Sequence, residues 1–147
     1  YAFLEKITGL VHLAFSYGEI LRDKETLVRV HQPLSLIDFV DLDPSGHSWA
    51  VSEAMARIAE EGSGVLVFLN CPTSASQLIE DVAASMRRDP QMRMDFLTYG
   101  IGAQILRDLN VGRMKLLGTP RKIPSMTGFD LEVTGFLPRA TSAKDKA

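Results

Sequence analysis

Val65-Leu-Val-Phe-Leu69 is an unbroken apolar run, bracketed by Gly62 and Gly64 on one side and by Cys71-Pro72 on the other. A short run of this kind between turn formers reads as a strand buried on both faces, and such strands belong to parallel sheets covered by helices. The flanking segments agree. Before the run, Trp49, Val51, Met55, Ile58 and Ala59 recur at helical spacing, with Ser48 as N-cap and Gly62 as stop. After it, Leu78, Ile79, Val82, Ala83 and Met86 mark a further amphipathic helix that ends near Asp89-Pro90.

A second helix and strand follow. Thr98 to Leu117 reads as a glycine turn, a helix carrying Ile101, Ile105 and Leu109 four apart, another turn, and a strand over Met114 to Leu117. Leu131 to Phe136 supplies a last strand. Upstream, Tyr1 to Glu5 and Leu10 to Phe15 flank the turn Lys6-Ile-Thr-Gly9 and predict a β-hairpin. Thr26 to His31 alternates apolar and polar residues and predicts a half-buried third strand, stopped by Pro33. The expected fold is α/β: a three-layer mixed sheet with helices on both faces and an antiparallel N-terminal extension.

The chain has 147 residues, 46% of them hydrophobic, which suits one domain with its own core. We place that domain at residues 1–137 and read the small, polar residues 138–147 as a flexible tail. With 16 basic and 18 acidic residues the net charge is -2, so no general basic face for nucleic acid is expected. Cys71 is the lone cysteine, which rules out an internal disulfide or a cysteine-rich metal cluster and fits a reducing, cytoplasmic setting. No run is long and apolar enough to predict a membrane span. The chain opens at Tyr1 directly in strand-like sequence, which reads as a fragment of a longer protein.

Several ordered segments carry a resemblance. Val11-His-Leu-Ala-Phe15, Leu27-Val-Arg-Val-His31, Ala56 through Leu69, Thr98 through Leu117 and Leu116-Leu-Gly-Thr-Pro-Arg-Lys122 together resemble the GTP cyclohydrolase II family of riboflavin biosynthesis. The resemblance implies a GTP cyclohydrolase II-like fold and a homodimer. It also implies an activity that opens the imidazole ring of GTP with a zinc-bound water and Mg²⁺, releasing formate and pyrophosphate. In many bacteria the family is fused behind a 3,4-dihydroxy-2-butanone 4-phosphate synthase, so a covalently linked N-terminal synthase domain is the expected partner.

Decisive positions depart from the family pattern. The three zinc-ligand positions, cysteines in the family, hold Leu34, Ser45 and His47. A leucine offers no donor, a serine hydroxyl is a weak neutral oxygen, and one imidazole does not make a zinc site. No zinc, and no other cofactor, is expected here. Where the family carries a glycine-rich loop with an acidic residue and an arginine, this chain has Cys71-Pro-Thr-Ser-Ala-Ser-Gln-Leu78. The family's proton-acceptor position survives as Asp95, but the arginine that takes up the nucleotidyl group is replaced by Leu97, which has no lone pair with which to attack phosphorus.

Arg29, His31, Thr119 and Lys122 remain as a residual nucleotide-binding set. Arg121 and Lys122 sit in a loop after a strand, where α/β sheets usually receive ligands. Tyr99, Gly100 and Gly102 read as fold determinants at a helix entry, since a lone Gly-x-Gly is weak evidence of a nucleotide site. Three functions follow from these readings: a structural or regulatory module that has lost ring-opening chemistry, an active cyclohydrolase with a rearranged site, or a sensor of GTP or another phosphate ligand.

Overall fold

The computed structural model describes residues 1–31, 49–71, 74–76, 79–80, 83 and 96–140. Leu34, Ser45, His47, Ser48 and Asp95 lie outside those residues, as do most of the helix expected beyond Leu78 and residues 141–147 of the expected tail. The elements run β1 (Ala2–Leu4), β2 (Val11–Tyr17), β3 (Glu25–His31), α1 (Val51–Glu61), β4 (Gly64–Cys71), α2 (Phe96–Asp108), β5 (Arg113–Leu117) and β6 (Glu132–Leu137), with one 3₁₀ turn at Thr127–Phe129. Together they form a mixed α/β fold around one six-stranded sheet, ordered β1-β2-β4-β3-β5-β6.

β4, β3, β5 and β6 are parallel neighbours, while β2 pairs antiparallel with both β1 and β4. The apolar run therefore forms a central strand, with one parallel and one antiparallel neighbour. Alternate residues of β4 feed two separate clusters, as the period of a strand requires. Val65, Val67 and Leu69 pack with Val28, Met114, the α2 residues Ala103, Ile105 and Leu106, and Leu109 just beyond the helix. Leu66 and Phe68 pack with Leu27, Leu117 and the α1 residues Val51, Ala54 and Ile58.

Two expectations are corrected by this packing. β3 is not half-buried: it lies between β4 and β5, and Thr26, Leu27 and Val28 are buried in succession. Its alternating polar residues are accommodated by local partners and not by solvent, as Arg29 and His31 show below. On α1 the buried stripe is Val51, Ala54 and Ile58, while Met55 points outward at 54% exposure. The helix begins two residues later than Ser48 would require. Ala50 is its N-cap, and because alanine has no side-chain acceptor the only capping contact comes from Glu53, whose Oε2 accepts the Ala50 N–H at 3.3 Å.

Helix ends follow from single residues. Gly62 closes α1 at φ +89° and donates to the carbonyls of Ile58 and Ala59. α2 closes on Asn110 at φ +65°, with Asn110 N–H bonded to Arg107 O at 3.0 Å and Val111 N–H to Leu106 O at 3.0 Å. This is a Schellman closure in which asparagine takes the left-handed position usually given to glycine, and Leu106 and Val111 are both buried beneath it. Asn110 also donates its Nδ2 to Ile20 O at 2.9 Å, tying the helix end to the loop before β3. Beyond β6, Arg139 pairs with Glu53 at 2.7 Å, so the first residues of the expected tail are held against α1. Among the described residues no helix is long and apolar enough to cross a membrane.

Candidate functional site

The topology dictates where a ligand can enter. From β3 the chain reaches β4 on one side through α1, and from β4 it reaches β5 on the other side of β3 through α2. The connections thus diverge at the carboxyl end of β3. Such a switch point is where open α/β sheets commonly receive ligands.

A cleft of about 320 Å³ lies there. Val30, Leu69, Met114 and Leu116 reach it from the strands, and Thr98, Tyr99, Gly102 and Leu106 from α2. The segment after β5 closes it with Thr119, Pro120, Arg121, Ile123 and Met126. Its surface is mostly apolar, with a polar rim.

Arg29 and Thr119 of the residual binding set line this cleft. Arg29 is half-buried and much of its donor capacity is spent inside the protein. Its Nη1 donates to Leu117 O at 2.9 Å, its Nη2 to Trp49 O at 3.1 Å, and its Nε to Nε2 of His31 at 3.2 Å. The guanidinium fork thereby joins the end of β5 to the entry of α1, and Trp49 adds a second tie by donating Nε1 to Leu137 O at 2.7 Å.

His31 does not line the cleft. It is buried beside Phe68, with ring centroids 5.6 Å apart and planes 18° from parallel. Burial, with the Arg29 charge adding to it, pushes its pKa down to about 3. His31 is therefore a neutral acceptor that orients Arg29. It lacks the positive charge that a phosphate contact would use.

Lys122 is exposed and is not among the cleft residues, whereas its neighbour Arg121 is. Leu97 is 63% exposed on the first turn of α2, immediately before the cleft residues Thr98 and Tyr99. Cys71 is buried, directs its thiol at Phe68 O at 3.6 Å, and has its pKa raised by burial, as befits a packed small hydrophobe.

Sequence reasoning passed over the α2 wall. Tyr99 and Gly102 were expected to serve the fold alone, yet both line the cleft, and Gly102 does so because it sits against Leu69 with no side chain to fill the space. The signal was present: Thr98, Tyr99, Gly102, Ala103 and Leu106 fall on one helical face.

Fold and cleft together define a class: an α/β domain with a cleft at the carboxyl ends of its parallel strands. The chain belongs to the GTP cyclohydrolase II family, whose model matches residues 1–138. It is 39% identical over 136 residues to a 3,4-dihydroxy-2-butanone 4-phosphate synthase of Neisseria meningitidis serogroup A, covering 92% of this chain and 37% of that protein. A protein of the same name from Pseudomonas aeruginosa is 36% identical over 137 residues, covering 91% of this chain and 37% of its own length. The riboflavin biosynthesis protein RibBA of Bacillus velezensis is 34% identical over 163 residues, covering 99% of this chain and 40% of its own. The chain thus spans well under half the length of these relatives.

Proposed function

We propose that this domain serves riboflavin biosynthesis as a GTP cyclohydrolase II-like module that has lost zinc-dependent ring opening. In this reading it acts as a structural or regulatory partner of a 3,4-dihydroxy-2-butanone 4-phosphate synthase domain in the same polypeptide. The observation that carries the reading is the donor set at the family's zinc positions, Leu34, Ser45 and His47. Zinc in a catalytic site needs three strong protein ligands and an open fourth position, and this set supplies one imidazole. The residues present do not fit the metal, so no hydrolytic step is derived through it.

Leu97 supports the same conclusion from the described part of the site. It stands exposed beside the cleft at the position where the family carries its arginine nucleophile, and a hydrocarbon side chain has nothing to give to phosphorus. The synthase names of the Neisseria and Pseudomonas relatives support the fused partner. The division of β4 between two clusters supports three layers with helices on both faces. The reading also has residues 1–137 form a cytoplasmic homodimer that holds no metal.

Metal analysis of the purified chain, combined with formate release from GTP in the presence of Zn²⁺ and Mg²⁺, tests it. The expected result is substoichiometric zinc and no formate above the enzyme-free rate. Stoichiometric zinc, or formate produced with turnover, overturns it in favour of an active cyclohydrolase with a rearranged site.

A further inference from the structure

The cleft at the ends of β3, β4 and β5 is lined largely by apolar side chains. Its volume of about 320 Å³ falls within the range of small-molecule sites and has room for a bicyclic ring. Its walls suit a flat ring. Tyr99 and Phe136 present aromatic surface, and Met114 and Met126 present thioethers, which make favourable contacts at ring edges. Gly102 supplies the flat floor against Leu69.

Charge narrows the ligand further. Among the described residues the cleft holds two cations, Arg29 and Arg121. Arg29 already spends donors on Leu117 O, Trp49 O and His31. Arg121 lies at the exposed rim with no ion-pair partner among the described residues, so one guanidinium faces the opening. An anionic group on the ligand matches that fork.

We propose that this cleft binds a ring-sized, predominantly apolar ligand that carries one anionic group, with the ring between Tyr99, Gly102 and Met126 and the anion on Arg121. The proposal rests on the reading that the domain no longer processes GTP, and it names the class of molecule that such a module senses. It also separates Arg121 from Lys122: the first is the anion partner, and the second is a solvated neighbour.

The probe is naphthalene-1-sulfonate, a fused bicyclic ring with one sulfonate, titrated into the full chain by calorimetry. One molecule should bind per chain. Arg121→Ala should weaken it by about fivefold to tenfold, Lys122→Ala should leave it unchanged, and GTP with Mg²⁺ at equal concentration should not displace it. Gly102→Leu, which fills the floor, should abolish binding. Arg121 is an exposed side chain, so its removal leaves the fold intact and decides the matter even where Gly102→Leu fails to fold. Absence of binding, equal losses in the Arg121 and Lys122 variants, or displacement by GTP each overturns the proposal. None of these touches the formate assay, so failure here is distinguishable from failure of the lost-turnover reading.

Discussion

Replacing His31 with glutamine should lessen the loss of stability of this fold between about pH 7.5 and about pH 5 while leaving its stability at neutral pH little changed. In the folded chain His31 is buried on Phe68 and accepts Arg29 Nε, so protonating Nε2 would set an N–H against an N–H beside a guanidinium. Its pKa accordingly falls from 6.5 to about 3, burial being the larger cause and the Arg29 charge the smaller. Between those values the unfolded chain binds a proton that the folded chain does not, so the free energy of unfolding rises with pH across that window. Stability from this group is complete above 6.5 and is lost as pH falls toward 3. For one histidine the loss between about pH 7.5 and about pH 5 amounts to about 2 kcal/mol.

Urea unfolding at several pH values in that range measures the effect, and the difference between wild type and His31→Gln isolates it. The glutamine carbonyl can still accept from Arg29 Nε, so the variant tests titration and not the loss of a bond. His12 shifts in the same direction, burial outweighing the opposing pull of Glu5, but it contributes equally to both proteins and cancels. Glu25, held below its usual range chiefly by Thr134 and then by Lys115, matters only at lower pH. The reasoning fails if His31→Gln keeps the full acid loss, or if the His31 ring resonances of the folded protein titrate near pH 6.5.

Gly18→Ala should destabilise the fold by about 2–4 kcal/mol in denaturant unfolding. The residue sits at φ +68° and a Cβ there would strike the Gly62 backbone carbonyl, which cannot swing aside without disturbing the end of α1. Trp49→Phe should cost about 1 kcal/mol by thermal or urea melts followed by circular dichroism. It removes the 2.7 Å bond to Leu137 O, but that carbonyl keeps the Gly118 N–H at 3.0 Å. Arg139→Ala should cost less than about 1 kcal/mol, because its pair with Glu53 is about one-third exposed. Glu53→Ala should cost more than Arg139→Ala, since it also removes the acceptor for the Ala50 N–H, and a reversed order in parallel melts would contradict that assignment.

Period and punctuation made much of the fold legible in the sequence. The apolar run at Val65–Leu69, the stops at Gly62 and Gly9, and the hairpin at the N-terminus all rest on local constraints: side-chain alternation, positive φ and turn chemistry. β3 was misjudged because its polar residues look solvent-facing in one dimension. Arg29 and His31 are half-buried and buried instead, since carbonyls from Trp49 and Leu117 and the ring of Phe68 reach them across the sheet. On α1, Met55 and Ala54 are both apolar by residue type, and packing against β3 and β4 selects the smaller Ala54. In the site, the basic pair Arg121-Lys122 was visible, but which of the two cations faces the cleft depends on the path of the segment after β5.

The sequence by itself determined ancestry and chemical capacity. Side-chain identity fixes what a position can do wherever it lies: Leu34 and Leu97 carry no donor atom and Ser45 carries a neutral hydroxyl, whatever their surroundings. Tertiary structure decided occupancy and environment: that Arg29 is engaged, that His31 is neutral, and that α2 and the segment after β5 enclose a largely apolar cleft. These are properties of desolvation and distance, which depend on residues far apart in the chain meeting in space.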